Sequence, residues 1–179
     1  GPDYIDPSYH TFITGRYSRN LDSYMLEDEK IKYILKEASK DADISVVEGV
    51  MGLYDGYGID LNDCTSSYTS KLLKAPVILV INGKAMAASS AAMVLGYKEL
   101  DKNVDIKGVI VNNVKTKSHY EIIKKAIETY CNIEVLGYFP PNNEFSLESR
   151  HLGLVPSVEI ESLKTKFSNL ADEIEKYID

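Results

Sequence analysis

The chain of 179 residues has no tryptophan and only two cysteines, Cys64 and Cys131, far apart in sequence. That spacing fits neither a metal site nor a disulfide framework, and it suits a reduced, cytoplasmic setting. No apolar run approaches the roughly 18 residues that a membrane span needs, and no basic-then-apolar leader opens the sequence. Basic residues are outnumbered, 20 Lys and Arg against 27 Asp and Glu, giving a net charge of −7. This balance argues against general binding to nucleic acid or to a membrane surface, since both present phosphate. A phosphate loop of the form G-x-x-x-x-G-K-[ST] is missing: "INGKAM" (81–86) lacks the upstream glycine and the hydroxyl residue. His10, His119 and His151 are too scattered for a metal triad and read as solvated or locally hydrogen-bonded.

What is present can build a core. Hydrophobic residues make up 44% and charged residues 26%, an ordinary globular balance, and the length suits one domain. Four apolar runs read as strands: "ADISVVEG" (42–49), "APVILVIN" (75–82), "DIKGVIVNNV" (105–114) and "IEVLGYFP" (133–140). Each is apolar on both faces, as in parallel strands covered by helices. Helical patterns lie between them. The stretch 20–42 carries Leu26, Ile31, Ile34 and Leu35 at helical spacing, 63–75 starts with Asp63 as its cap, and 86–102 is rich in alanine. The stretch 116–131 puts Tyr120, Ile123, Ile127 and Tyr130 on one stripe, and the tail 157–178 is amphipathic. The alternation predicts an α/β domain over 1–179: a mostly parallel, doubly wound sheet with helices on both faces. No repeat, low-complexity linker or second-domain boundary is visible.

In such sheets ligands bind beyond the carboxyl ends of the strands. Glu48, Asn82, Asn112 and Tyr138 fall at or just past the expected ends. In "ISVVEGVMGLYDG" (44–56) the apolar run stops at Glu48, and Gly49, Gly52 and Gly56 follow around Asp55. A carboxylate beside backbone free of Cβ atoms is what a metal–phosphate site requires; a tight turn with a solvated glutamate is the alternative. "GPDYIDPSYH" (1–10) sets Asp3 and Asp6 three apart in a segment too turn-rich for a helix interior. Acids so close are kept together by a cation or a charged substrate, or else are loop acids in water. "TGRYSRNLD" (14–22) presents Arg16 and Arg19 around Tyr17, where a guanidinium fork suits carboxylate or phosphate. Pairing with nearby surface acids is the plainer reading.

The segments "GPDYIDPSYH…TGRYSRNLDSYML", "VVEGVMGLYDG", "KLLKAPVILVIN", "GVIVNNV…HYE", "VLGYFP" and "RHLGLVP", in this order, resemble the ATP-binding domain of the cobyrinic acid a,c-diamide synthase family. The resemblance runs from Gly1 to about Pro156. Nickel-sirohydrochlorin a,c-diamide synthase shares much of the pattern. Dethiobiotin synthetase shares the fold and the VEG-type strand end, but not "GPDYIDP" or "SRNLD".

The resemblance implies a P-loop NTPase-like fold of the dethiobiotin-synthetase kind, with ATP and Mg²⁺ as cofactors. It implies that ATP phosphorylates the a and c side-chain carboxylates of a corrinoid macrocycle, cobyrinic acid, in cobalamin biosynthesis. Ammonia then displaces phosphate to leave an amide, and that ammonia comes from glutamine hydrolysed in a separate glutaminase domain. By the same resemblance Asp3, Asp6, Glu48 and Asp55 are the catalytic acids, with Glu48 and Asp3 on the metal. Gly49, Gly52 and Asn112 would face the nucleotide, Asn112 reading the adenine edge, while Arg16, Arg19, Asn20 and His151 would face the substrate.

Two departures from the family pattern set further expectations. The first strand and its phosphate loop are missing, and neither Cys64 nor Cys131 sits in a nucleophile-elbow context, both falling within predicted helices. The chain therefore reads as an internal fragment, inactive alone, with 157–179 connecting towards an absent glutaminase domain and an open sheet edge that favours a homo-oligomer. The rival from another class is a non-catalytic ATPase-like scaffold module, which has no need of four acids on one rim.

Overall fold

The structure, a computed structural model, describes residues 3–145, 149–150, 153–154 and 163–178. The chain divides into two compact units, Gly1–Leu73 with Phe145–Ser168, and Lys74–Glu144 with Asn169–Asp179.

The second unit is where the alternating pattern is realised. Three strands, β1 (Val77–Asn82), β2 (Ile106–Asn112) and β3 (Glu134–Phe139), form a parallel sheet in the order β1-β2-β3. Asn82 lies opposite Asn112, and Asn112 opposite Phe139, so the carboxyl ends are level. The crossovers contain helices α4 (Ser89–Leu100) and α5 (Lys117–Cys131). Two crossovers of the usual hand between successive neighbours put both helices on the same face. There Val94, Val109, Val111, Ile123 and Ile127 are completely buried. Helix α5 begins where Thr116 accepts the N–H of His119 and ends at Asn132, whose left-handed φ of 51° stops the helix. The expected stripe of α5 fails at one place: Tyr130 is exposed, and Cys131 takes the inward position after Ile127. At 3.6 residues per turn the next inward position there lies four residues on.

The two edges of the sheet differ. The outer side of β3 is met by the tail, where Tyr138 N–H donates to Tyr177 O and Gly137 pairs with Ile178. The outer side of β1 has no strand partner among the described residues, and Ile78 and Val80 are exposed.

The first unit holds α1 (Ile5–Thr14), α2 (Asp28–Ala38), α3 (Ser66–Leu73), a short antiparallel pair, β4 (Ser149–Arg150) with β5 (Gly153–Leu154), and the start of α6 (Leu163–Ile174). Tyr9 meets Phe167 edge to face, and Tyr9, Ile31 and Leu163 are buried.

Three expectations are corrected here. Residues 42–49 do not form a strand: they are irregular, with a bend at Asp43 and no ladder, and Ile44, Val46 and Val47 are exposed. Apolar composition suits a strand, but a strand exists only where a neighbour's backbone accepts its hydrogen bonds, and none is described beside this one. Second, 5–14 is helical despite Pro7, because the first turn needs no donor from that nitrogen. Third, α3 starts two residues later than expected, its cap moving from Asp63 to Thr65. Thr65 Oγ1 accepts the N–H of Tyr68 at 3.0 Å, while Cys64 stands outside the helix with a φ of 60°. The tail helix is present as α6.

Candidate functional site

Helix α1 organises the acids. Asp3 sits just ahead of it, and its Oδ1 accepts the N–H of Ile5 at 2.9 Å, filling one of the orphan donors of the first turn. Asp6 lies in that turn, where a carboxylate also meets the positive end of the helix. One turn on, at i+4, His10 projects from the same face. Its Nε2 is 2.7 Å from Glu48 Oε2, which brings the 44–49 segment against α1. Asp3, Asp6, His10 and Glu48 therefore form one cluster.

The electrostatics agree with that grouping. The Asp6 carboxyl is held above the usual carboxylate range, first by partial burial, then by the charge of Asp3 and a hydrogen bond with it. Glu48 pushes in the same direction, and His10 opposes it. Burial and neighbouring carboxylates both disfavour the charged form, and here they outweigh the imidazole.

The loop after α1 folds back along it. Gly15 takes a φ of 67°, a left-handed C-cap, and donates to Thr11 O. Ser18 N–H then donates to Thr11 Oγ1 at 3.0 Å, and Ser18 Oγ stands 3.5 Å from His10 Nδ1. Asn20 reaches Asp3: its Oδ1 accepts Asp3 N–H at 3.1 Å and its Nδ2 donates to Asp3 O at 2.5 Å. Arg16 points elsewhere. Its guanidinium donates to the carbonyls of Asp41 (3.2 Å), Lys40 (2.5 Å) and Ala38 (3.5 Å), closing the carboxyl end of α2. Arg19 is exposed and donates to Tyr17 O at 2.6 Å.

Other expected residues lie apart from the cluster. Asp55 ends a turn in which its N–H donates to Gly52 O, and among the described residues no hydrogen bond or ion pair joins it to Asp3, Asp6 or Glu48. Gly49 and Gly52 leave room for the protein's own atoms: a Cβ on Gly49 would come 2.7 Å from Ser66 Oγ, and one on Gly52 would strike the Asp55 carboxylate. Asn112, in the second unit, ends β2. Its Oδ1 accepts Asn113 N–H at 2.8 Å, and Asn113 in turn donates to Asn82 Oδ1 at 3.2 Å. His151 lies outside the described residues.

Among the described residues, no three His, Cys, Asp or Glu side chains converge to hold a metal ion by themselves. The cluster still suits Mg²⁺ in kind, because that ion takes one or two hard carboxylates and completes its shell with phosphate oxygens and water. His10 is the functional candidate that sequence reasoning missed. Its signal was the i, i+4 spacing from Asp6, legible only once Pro7 is accepted inside a first helical turn.

A parallel sheet with helical crossovers and a level rim of strand ends is an α/β architecture of the class that takes ligands at that rim. The chain belongs to the AAA-domain family, a P-loop NTPase family, whose model matches residues 8–149. Over its length it is similar to enzymes named cobyrinate a,c-diamide synthase. It is 49% identical over 179 residues to that of Streptococcus sanguinis, covering 99% of this chain and 40% of the relative. It is 47% identical over 180 residues to that of Listeria monocytogenes serotype 4b, covering 100% and 40%. With that of Salmonella typhimurium it shares 45% over 179 residues, covering 100% and 39%. The chain thus spans about 40% of the length of these curated relatives. No solved structure matches it. No described helix is long and apolar enough to cross a membrane.

Proposed function

We propose that this chain is part of an ATP- and Mg²⁺-dependent amidoligase that converts the a and c side-chain carboxylates of cobyrinic acid to amides in cobalamin biosynthesis. The observation that carries the reading is the gathering of Asp3, Asp6 and Glu48 into one cluster, in a chain 45–49% identical to enzymes of that name. The donor set is all oxygen and the partner is a polyphosphate, so the work is positioning and charge neutralisation.

When bound, Mg²⁺ would neutralise phosphate oxygens. Asp3 and Glu48 are the residues we assign to hold it, and Asp6 completes the acids of the cluster. A substrate carboxylate oxygen attacks the terminal phosphorus of ATP, the bond to ADP breaks, and an acyl phosphate forms. Ammonia attacks the acyl carbon, the carbon–oxygen bond to phosphate breaks, and the surplus proton passes to a base. Gly49 and Gly52 are assigned to the nucleotide side, and Arg19 and His151 to the carboxylates of the macrocycle. The reading places glutamine hydrolysis in a further domain and the enzyme in the cytoplasm.

The test is the complete protein bearing this sequence, given cobyrinic acid, ATP, Mg²⁺ and glutamine, with amides counted by mass spectrometry. Two amides per macrocycle with matching ADP release is the expected result. Turnover of ATP with nickel-sirohydrochlorin alone would move the substrate, and no amidation of any tetrapyrrole acid would end the reading.

A further inference from the structure

We infer that Asn20 is a positioning residue: its carboxamide clamps the backbone of Asp3 and thereby fixes the acid cluster for the reaction proposed above, on which the catalytic half of the inference rests. The side chain makes the two bonds that a neighbouring strand would make, accepting from Asp3 N–H at 3.1 Å and donating to Asp3 O at 2.5 Å. Only one orientation of the amide satisfies both, so the pairing is specific. With Oδ1 held by the N–H of Ile5, Asp3 is fixed at its nitrogen, its carbonyl and one carboxylate oxygen.

The clamp spans 17 residues of sequence and closes a loop that is already tied to α1 by Gly15 and Ser18. It therefore joins the two motifs "GPDYIDP" and "SRNLD" into one local structure. Groups that carry charge in a phosphoryl-transfer site work only when preorganised, and partners that orient such groups are commonly worth 10- to 100-fold when removed. The pair of bonds to Asp3 fixes which way the carboxamide faces, with its oxygen towards Asp3 N–H and its nitrogen towards Asp3 O.

The experiment uses the complete enzyme with Asn20→Ala, Asn20→Asp, Asp3→Asn and the double variant Asp3→Asn/Asn20→Ala. Asn20→Ala should lower kcat by about 10-fold or more with KM for the macrocycle within about twofold. Asn20→Asp keeps the acceptor but turns a carboxylate oxygen towards the Asp3 carbonyl, so it should lower kcat at least as far as Asn20→Ala. In the Asp3→Asn background, adding Asn20→Ala should change kcat by less than about twofold, because the clamp then has no acid to position. Amide hydrogen exchange on the peptide containing Asp3 supplies a readout apart from activity, and Asn20→Ala should remove its protection. A raised macrocycle KM with kcat unchanged, or equal fold losses in both backgrounds, would overturn the positioning role. Unchanged exchange would overturn the clamp itself. If wild-type enzyme amidates no corrinoid, the proposed reaction fails, and the clamp still stands or falls on the exchange result.

Discussion

The two units house equally apolar segments in opposite ways. In the second, β2 runs between two parallel partners, and Val109 and Val111 are 0% exposed. In the first, Ile44–Val47 has no partner among the described residues, and Ile44 and Val46 are 80% and 86% exposed. The lesson is that a strand belongs to its neighbours as much as to its own residues. Composition nominates a segment, and hydrogen-bonding partners elect it.

The sharpest way to break this contrast is to put one charge in each place. Val109→Asp buries an unpaired carboxylate in the sheet core and should cost more than about 4 kcal/mol, enough to unfold the unit. Ile44→Asp, already in water, should stay within about 0.5 kcal/mol. Chemical denaturation followed by circular dichroism measures both. Comparable losses would mean that 44–47 is packed and that the contrast is false.

Next in size is Glu48→Gln, which should leave the melting temperature nearly unchanged while lowering turnover of the complete enzyme about 100-fold or more. The amide keeps an acceptor for His10 but is a poor Mg²⁺ ligand. Near-normal turnover at saturating Mg²⁺ would make Glu48 a turn residue.

How much of this was legible follows the same division. The three strands of the second unit and the helices between them were readable, because buried parallel strands are apolar on both faces and their helices carry stripes. The first unit was legible in its residues and not in its geometry. Asp3, Asp6 and Glu48 could be named, yet Pro7 masked a helix, and with it the face that brings Asp6 and His10 together. Resemblance places Asn20 towards the substrate, and its own pattern says nothing of the contact it makes, because a polar side chain in a loop does not disclose that its partner is a backbone 17 residues away. Arg16 is the same kind of case: its fork found backbone carbonyls, which no charge pattern advertises.

Arg16 gives a smaller effect that separates its two readings. Arg16→Ala should cost about 1 kcal/mol of stability, because three carbonyls near the end of α2 lose a charged donor that water only partly replaces. Arg16→Lys should recover little of it, since an ammonium cannot span the three acceptors. Thermal melts test this, and macrocycle KM measured alongside tests the substrate role implied by resemblance. Unchanged stability with a raised KM would return Arg16 to the substrate.

The smallest expected effect lies in the titration of Asp6, and it bears on whether the acid cluster attracts a cation. Its carboxyl is raised above 3.8 by burial first, then by Asp3 and Glu48. For an acid whose folded pKa is raised, the fold favours the protonated form. Stability from this group is therefore complete below the unfolded value, and it is lost as pH rises from about 3.8 through the raised folded pKa. At neutral pH the cluster opposes the fold slightly, and a cation beside it would reverse the sign of that contribution. Side-chain carboxyl carbon-13 NMR should show Asp6 titrating lower in Asp3→Asn, and lower again in wild type with millimolar Mg²⁺. A shift with Asp3→Asn alone would mean that the acids repel each other without attracting the metal. No shift in either case would leave burial as the whole cause, and the cluster would then have no claim on a cation.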